Sequence, residues 1–313
     1  MKMTVSPPII GLLSFVVSLF FNLFAFAHSP TSIIGEGPWN GKVYNTKTRQ
    51  LISMQALTEQ LKKSDVVVIG EKHYSETTQK AEALLIEMGA GPLDEQTPSF
   101  STAWEFLNYD QQLLIDQAYD QYLKREIDTD LFMNKIHGGK YSSMYGPLFE
   151  STRNLQGQVL AVNLSREAKA PILEKGLEGI EASLIPPDFA VGSLNYHQRF
   201  KEIMAGHGDA AKIEKYYLAQ CLTDDVMAYQ IEKNQKTKKH FLITGSFHME
   251  FNDGVVERLR TRMKSATLTS IRIVDVNDFL VEEIDDLIHD PRFGDIADIV
   301  YFVREPYNPH SEP

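Results

Sequence analysis

Two apolar runs in this chain stop in the same way. Val66-Val67-Val68-Ile69 breaks at Gly70 and continues Glu71-Lys72-His73, while Phe241-Leu242-Ile243-Thr244 breaks at Gly245 and continues Ser246-Phe247-His248. A short run dominated by β-branched and aromatic residues reads as a strand buried on both faces, which belongs in a parallel sheet. The glycine then turns the chain and delivers polar groups at the strand end. In open α/β sheets ligands sit outside the carboxyl ends of the strands. The G-x-x-H pair therefore points to a fold class, α/β with a mostly parallel sheet flanked by helices, and to the edge where chemistry would lie.

The rest of the chain fits that rhythm. Lys42 to Ile52 alternates around Asn45-Thr46-Lys47-Thr48 as a hairpin would, and Ser53 can cap a helix with Leu57 and Leu61 inward. Ser75 can cap a second helix, with Ala81, Leu84, Leu85 and Met88 on one face and Gly89 at its end. A strand at about 100–106 carries Glu105; Asn108 and Gln111 make a capping box for a helix with Leu113, Leu114 and Ala118 inward. A helix near 129–136, a loop rich in Gly, Ser and Tyr, and a strand at 158–164 follow, the last leading into Ser165 and Arg166. Residues 165–239 lose the strand signal and read as helices at about 168–184, 194–206 and 209–237, a small helical subdomain inserted into an α/β domain of residues 28–164 and 240–313. Strands at 267–274 and 298–304 complete the sheet.

Residues 1–27 stand apart. Lys2 precedes an apolar segment, Ile9 to Phe26, that ends in Ala25-Phe26-Ala27, the A-x-A signature of a secretory signal cut before His28. An uncleaved anchor that leaves the protein membrane-associated through its N-terminus is the competing reading. Cleavage removes one Lys, so the mature chain carries 30 Lys and Arg against 42 Asp and Glu, a net charge of −12. That balance argues against nucleic acid, whose phosphates call for clustered Lys and Arg. The one cysteine, Cys221, excludes an intrachain disulfide and leaves no lipid-anchor Cys beside the signal. The expected location is periplasmic or secreted, and the protein is not a lipoprotein.

The strand ends gather Glu71, His73, Glu105, Arg166 and His248 as a candidate catalytic pocket. Two imidazoles with a carboxylate, His73, His248 and Glu71, form a sufficient set for a divalent metal with an open position. In that metallohydrolase reading Glu71 or Glu105 is the general base and Arg166 stabilises an oxyanion. The plainer reading gives each glycine a tight turn, each histidine a backbone carbonyl, and Arg166 an ion pair that fixes the strand ends. No G-x-S-x-G, H-E-x-x-H, P-loop or dinucleotide fingerprint is present. Cys221 lies mid-helix and reads as packing. Tyr141, Met144 and Tyr145 lie in the Gly/Ser/Tyr loop; Tyr and Met are residue types that ligate haem, and without C-x-x-C-H a haem would be held non-covalently.

Five segments together resemble the ChaN-like haem-binding family of the wider Tiki/TraB/erythromycin-esterase superfamily. They are "GEKH" at Gly70 to His73, "WEFLNYDQQ" from Trp104 to Gln112, "YGPLFE" at Tyr145 to Glu150, "AVNLSRE" from Ala161 to Glu167, and "ITGSFH" from Ile243 to His248 followed by "DGV". The resemblance spans roughly Gly41 to Val303. It implies a parallel α/β domain with a smaller helical one, an exported location, and haem binding linked to iron acquisition, with ligation by a tyrosine and with haem either at the strand ends or between the protomers of a homodimer. Superfamily enzymes similar in the paired G-x-x-H imply hydrolysis, often with metal, at Glu71, His73, Glu105, Arg166 and His248. The chain departs from the pattern in lacking a lipobox Cys and in carrying bulky Phe247 where a small residue is common.

Overall fold

A computed structural model describes residues 39–90, 99–139, 142–234, 236–279 and 284–305; residues 1–27, expected to be a signal, lie outside them. The described residues form one compact unit. Among the described residues the main sheet holds eight strands, β1 (Val43–Asn45), β2 (Gln50–Ile52), β3 (Val66–Glu71), β4 (Phe100–Asn108), β5 (Gln158–Asn163), β6 (Lys239–Gly245), β7 (Leu268–Asp275) and β10 (Ile299–Val303). Their spatial order is β2-β1-β10-β7-β3-β6-β4-β5. The six strands from β10 to β5 run parallel, and β1 pairs antiparallel with both β10 and β2. A two-stranded ribbon of β8 (His289–Asp290) and β9 (Gly294–Asp295) lies outside the sheet.

The helices are α1 (Met54–Lys63), α2 (Glu76–Ala90), α3 (Gln112–Leu123), α4 (Thr129–Ile136), α5 (Gly146–Asn154), α6 (Arg166–Lys169), α7 (Ile172–Lys175), α8 (Leu194–Ile203), α9 (Ala210–Lys233), α10 (Gly254–Arg262) and α11 (Ile284–Ile288). Ser53 and Ser75 accept from the backbone N–H groups of Ala56 and Thr78, so both expected caps form. The Asn108 cap does not: residues 109–111 make a 3₁₀ turn first. That turn rotates α3, so Ile115, Ala118, Tyr119 and Tyr122 face the core, while Leu113 and Leu114, expected inward, are 69% and 64% exposed. In the stretch expected as a helix over 168–184, Pro171 and the left-handed Gly176 break the pattern into α6, α7 and two 3₁₀ turns. The helices of residues 165–239 pack into the same compact unit, α9 lying against β5 and α10.

Every residue of β3 and β6 is buried. Alternation along β3 sends Val67 and Ile69 into one core layer, with Leu85 of α2 and Tyr145, and Val66 and Val68 into the opposite layer, with Met227 and Ala228 of α9. Pairing of Glu71 with Gly245, and of Trp104 with Ile243, brings the carboxyl ends of β3, β6 and β4 side by side.

Candidate functional site

At that edge the side chains form one chain of hydrogen bonds and imidazole–carboxylate pairs. Glu71, the last residue of β3, takes His73 Nδ1 on Oε1 at 2.8 Å, and the Tyr145 hydroxyl donates to the same oxygen at 3.0 Å. Its Oε2 accepts from Gln79 Nε2 of α2 at 2.6 Å. His73 Nε2 lies 3.3 Å from Glu105 Oε1. Glu105 Oε2 accepts from Thr244 Oγ1 and, at 2.7 Å, from the Gly245 N–H, and stands 3.8 Å from His248 Nε2. His248 Nδ1 is 2.6 Å from Asp224 Oδ1 of α9, whose Oδ2 accepts from the Tyr196 hydroxyl of α8 at 2.7 Å. The order is tyrosine, carboxylate, imidazole on each side of a central Glu105. Glu71 is held by groups from the α2 layer and His248 by groups from the α9 layer, so the chain passes over the sheet edge from one face to the other.

Burial and charge set the protonation pattern. Burial alone would lower His73, but Glu105 and then Glu71 outweigh it and raise the imidazole to about 10. Burial works likewise against His248, and Asp224 and Glu105 again prevail, raising it. Burial would raise Glu105, yet His248 and His73 hold it well below the usual carboxylate range. Burial raises Asp224 against the pull of His248. Glu82 of α2, wholly buried beside Glu71, is pushed well above the carboxylate range by burial and then by the charge of Glu71. The Lys169 amine is drawn down to about 8 by burial, opposed by Glu105 and Asp224, and donates to Asn163 Oδ1 and Thr223 Oγ1 at 3.0 and 3.2 Å.

Gly245 is where the turn meets the site. A Cβ there would lie 2.7 Å from His73 Nε2 and 3.0 Å from Cε1, so only glycine lets the ring close on Glu105.

Glu71, His73, Glu105 and His248 thus come together as the strand-end pattern implied. Arg166 opens α6 and is partly exposed. Gln79, Glu82, Lys169, Asp224, Tyr145 and Tyr196 complete the chain or act on it. Tyr145 is wholly buried with its hydroxyl on Glu71, Met144 is half-buried against the core, and Tyr141 lies outside the described residues. The metal reading of His73, His248 and Glu71 finds no support: among the described residues no group of three or more His, Cys, Asp or Glu is arranged to hold a metal ion. His73 lies between Glu71 and Glu105, and His248 between Asp224 and Glu105. Cys221 is buried and its thiol is pushed up to about 12 by burial, consistent with packing.

The family model described as haem-binding uptake, Tiki superfamily, ChaN matches residues 57–259. The chain belongs to this family. Among solved structures, ChaN of Campylobacter jejuni, described by its cofacial haem binding, is 20% identical and covers 83% of this chain and 95% of its own, with a TM-score of 0.65; it shows the shared fold. The type III effector HopBA1 is 11% identical over 80% of this chain and 92% of its own, with a TM-score of 0.47, too low to carry an argument. Among curated proteins none matches the chain.

Proposed function

We propose that this chain is an exported haem-binding protein serving haem or iron acquisition. Membership of a haem-binding uptake family carries the reading, and the apolar leader ending in Ala25-Phe26-Ala27 supports export. The donor set decides how haem would be held. His73 and His248 are engaged on both sides by carboxylates, and the Tyr145 hydroxyl is committed to Glu71, so the buried site is suited to holding protons rather than iron. Aromatic rings lie beside it, Tyr74 and Phe106 half-buried against His73 and His137 exposed. Bound haem would supply the iron-centred chemistry; the chain's own residues bind and orient it. Titration of the purified protein with haemin should give a saturable Soret shift, and no shift beyond that of an unrelated acidic protein would sink the reading. Export is tested separately by N-terminal sequencing of protein recovered from the periplasm, which should begin at His28.

A second reading rests on the alternation of carboxylate and imidazole about Glu105. Each His–carboxylate pair can accept a proton at one oxygen and release one at the neighbouring nitrogen, which is the equipment for general acid–base catalysis without a metal. A panel of activated esters assayed with wild type and His248→Asn tests it; equal rates would remove the reading.

A further inference from the structure

A second polar cleft lies at the amino end of β5, the edge strand of the sheet. Its volume of about 640 Å³ falls within the roughly 300–1,000 Å³ of small-molecule sites. Gln158 opens β5 there, Arg153 and Asn154 come from the last turn of α5, Gln156 links the two elements, and Arg125 follows the end of α3. At the far end of β5, Asn163 donates from Nδ2 to the Glu105 carbonyl at 2.6 Å, so roughly 17 Å of strand separates the cleft from the paired histidines.

The cleft is cationic in an acidic chain. Among the described residues no Asp or Glu lines it, although the sequence holds 42 of them. The Arg153 guanidinium carbon stands 4.1 Å from the centroid of the Tyr122 ring, which is itself fixed by stacking on Phe132 at 4.5 Å. Its Nε is buried and makes no hydrogen bond. The Arg125 guanidinium has no hydrogen bond or ion pair among the described residues. Carboxylates of the flanking helices are engaged elsewhere: Glu150, one turn before Arg153, takes the Thr129 hydroxyl at 2.6 Å, and Asp120 pairs with Lys124 at 2.5 Å.

A cation at the carboxyl end of a helix gains from the helix dipole, which accounts for an arginine at either end. It does not account for two guanidinium groups lining one cleft, one of them with a buried N–H unmade, beside three side-chain amides. Arginine stays charged at any physiological pH, and its planar fork matches the oxygens of a carboxylate or phosphate.

We propose that this cleft binds a small molecule bearing several oxyanion groups, its carboxylates or phosphates on Arg125 and Arg153 and its polar body on Asn154, Gln156 and Gln158. The site is separate from the haem reading, and failure of either leaves the other standing.

Titration calorimetry with citrate and with pyrophosphate, at matched ionic strength, tests the assignment on wild type, Arg125→Gln, Arg153→Gln and Arg292→Gln. Wild type should bind at least one of the two saturably, with Kd below about 1 mM. Arg125→Gln and Arg153→Gln should each weaken that binding at least about ten-fold, the scale of one lost charge-assisted hydrogen bond. Arg125 is exposed and holds no partner, so its variant should unfold at the wild-type temperature and its loss of affinity is not a loss of fold. Arg292→Gln, which removes an exposed guanidinium paired with Glu202 and Asp290, should bind as wild type does. Tighter citrate marks a polycarboxylate ligand and tighter pyrophosphate a phosphate-bearing one, and either upholds the site. No saturable binding of either anion, binding unchanged in both cleft variants, or an equal loss in Arg292→Gln overturns it.

Discussion

His248 and Asp224 lie 24 residues apart on different elements, yet Nδ1 and Oδ1 meet at 2.6 Å. The pair repeats, on the other face of the sheet, the 2.8 Å contact of His73 with Glu71. Both imidazoles owe their raised pKa to such a carboxylate together with the shared Glu105.

Asp224→Asn removes one of the charges that favour protonated His248 while leaving an oxygen for Tyr196. The pKa of His248 should fall toward or below the ordinary histidine value, because burial then goes less opposed. NMR titration of its ring protons reads this directly; an unmoved pKa would mean that Glu105 alone sets it.

The pH dependence of stability follows from His73. Its folded pKa, about 10, exceeds the ordinary 6.5 of an unfolded chain, so its contribution is complete below about pH 6.5 and is lost as the pH rises through 10. Glu105 is shifted the opposite way, and its contribution is present above the usual carboxylate range and lost as the pH falls below it. Denaturant midpoints should therefore decline at both extremes, and His73→Gln should flatten the alkaline decline. An unchanged alkaline limb in that variant would refute the assignment.

Glu82 carries the opposite sign of consequence from Glu105. Its raised folded pKa opposes folding at any pH above the usual carboxylate range. Glu82→Gln keeps the shape and a donor toward Glu71 without an ionisable proton. It should stabilise the protein by about 0.5–2 kcal/mol at pH 8 and much less at pH 4, measured by urea unfolding at both.

Gly245→Ala should displace His73, since the new methyl would stand 2.7 Å from Nε2. A loss of about 1–3 kcal/mol is expected, as for overpacking elsewhere, together with a lower His73 pKa as the ring leaves Glu105. A stable variant with His73 unmoved in its titration would show that the turn can give.

Tyr145→Phe deletes a buried donor to a charged acceptor, and hydrogen bonds of that kind contribute about 1.5–3 kcal/mol. Thermal unfolding of the variant should show a loss of that order, and no loss would place the stabilisation of Glu71 on Gln79 and His73.

The strands that carry the site could be read from the residues because strands buried on both faces are continuously apolar and stop at glycine, as Val66 to Gly70 and Phe241 to Gly245 do. Glu105 is legible as a polar residue closing an apolar run. Asp224 is not: it sits beside Asp225 on a helix whose polar residues look solvated, and only the flanking Cys221, Leu222, Val226 and Met227 mark its turn as buried. Tyr196, Gln79 and Glu82 lie on helix faces that become interior only when two elements meet, information that no local pattern carries. The inward placement of Leu113 and Leu114 failed for a related reason, since the 3₁₀ turn at 109–111 advances the helical phase.

The two halves of this polar chain come from stretches far apart in sequence: Glu71, His73 and Glu105 precede residues 165–239, His248 follows them, and Asp224 and Tyr196 lie within them. His248 therefore acquires its second counter-ion only after that segment has docked. A protein with those residues excised could still pair β3 with β6, yet it would strand a buried cation against a single shared carboxylate. The segment that looks like an ornament on the sheet supplies Asp224 and Tyr196, and the site is complete only with it.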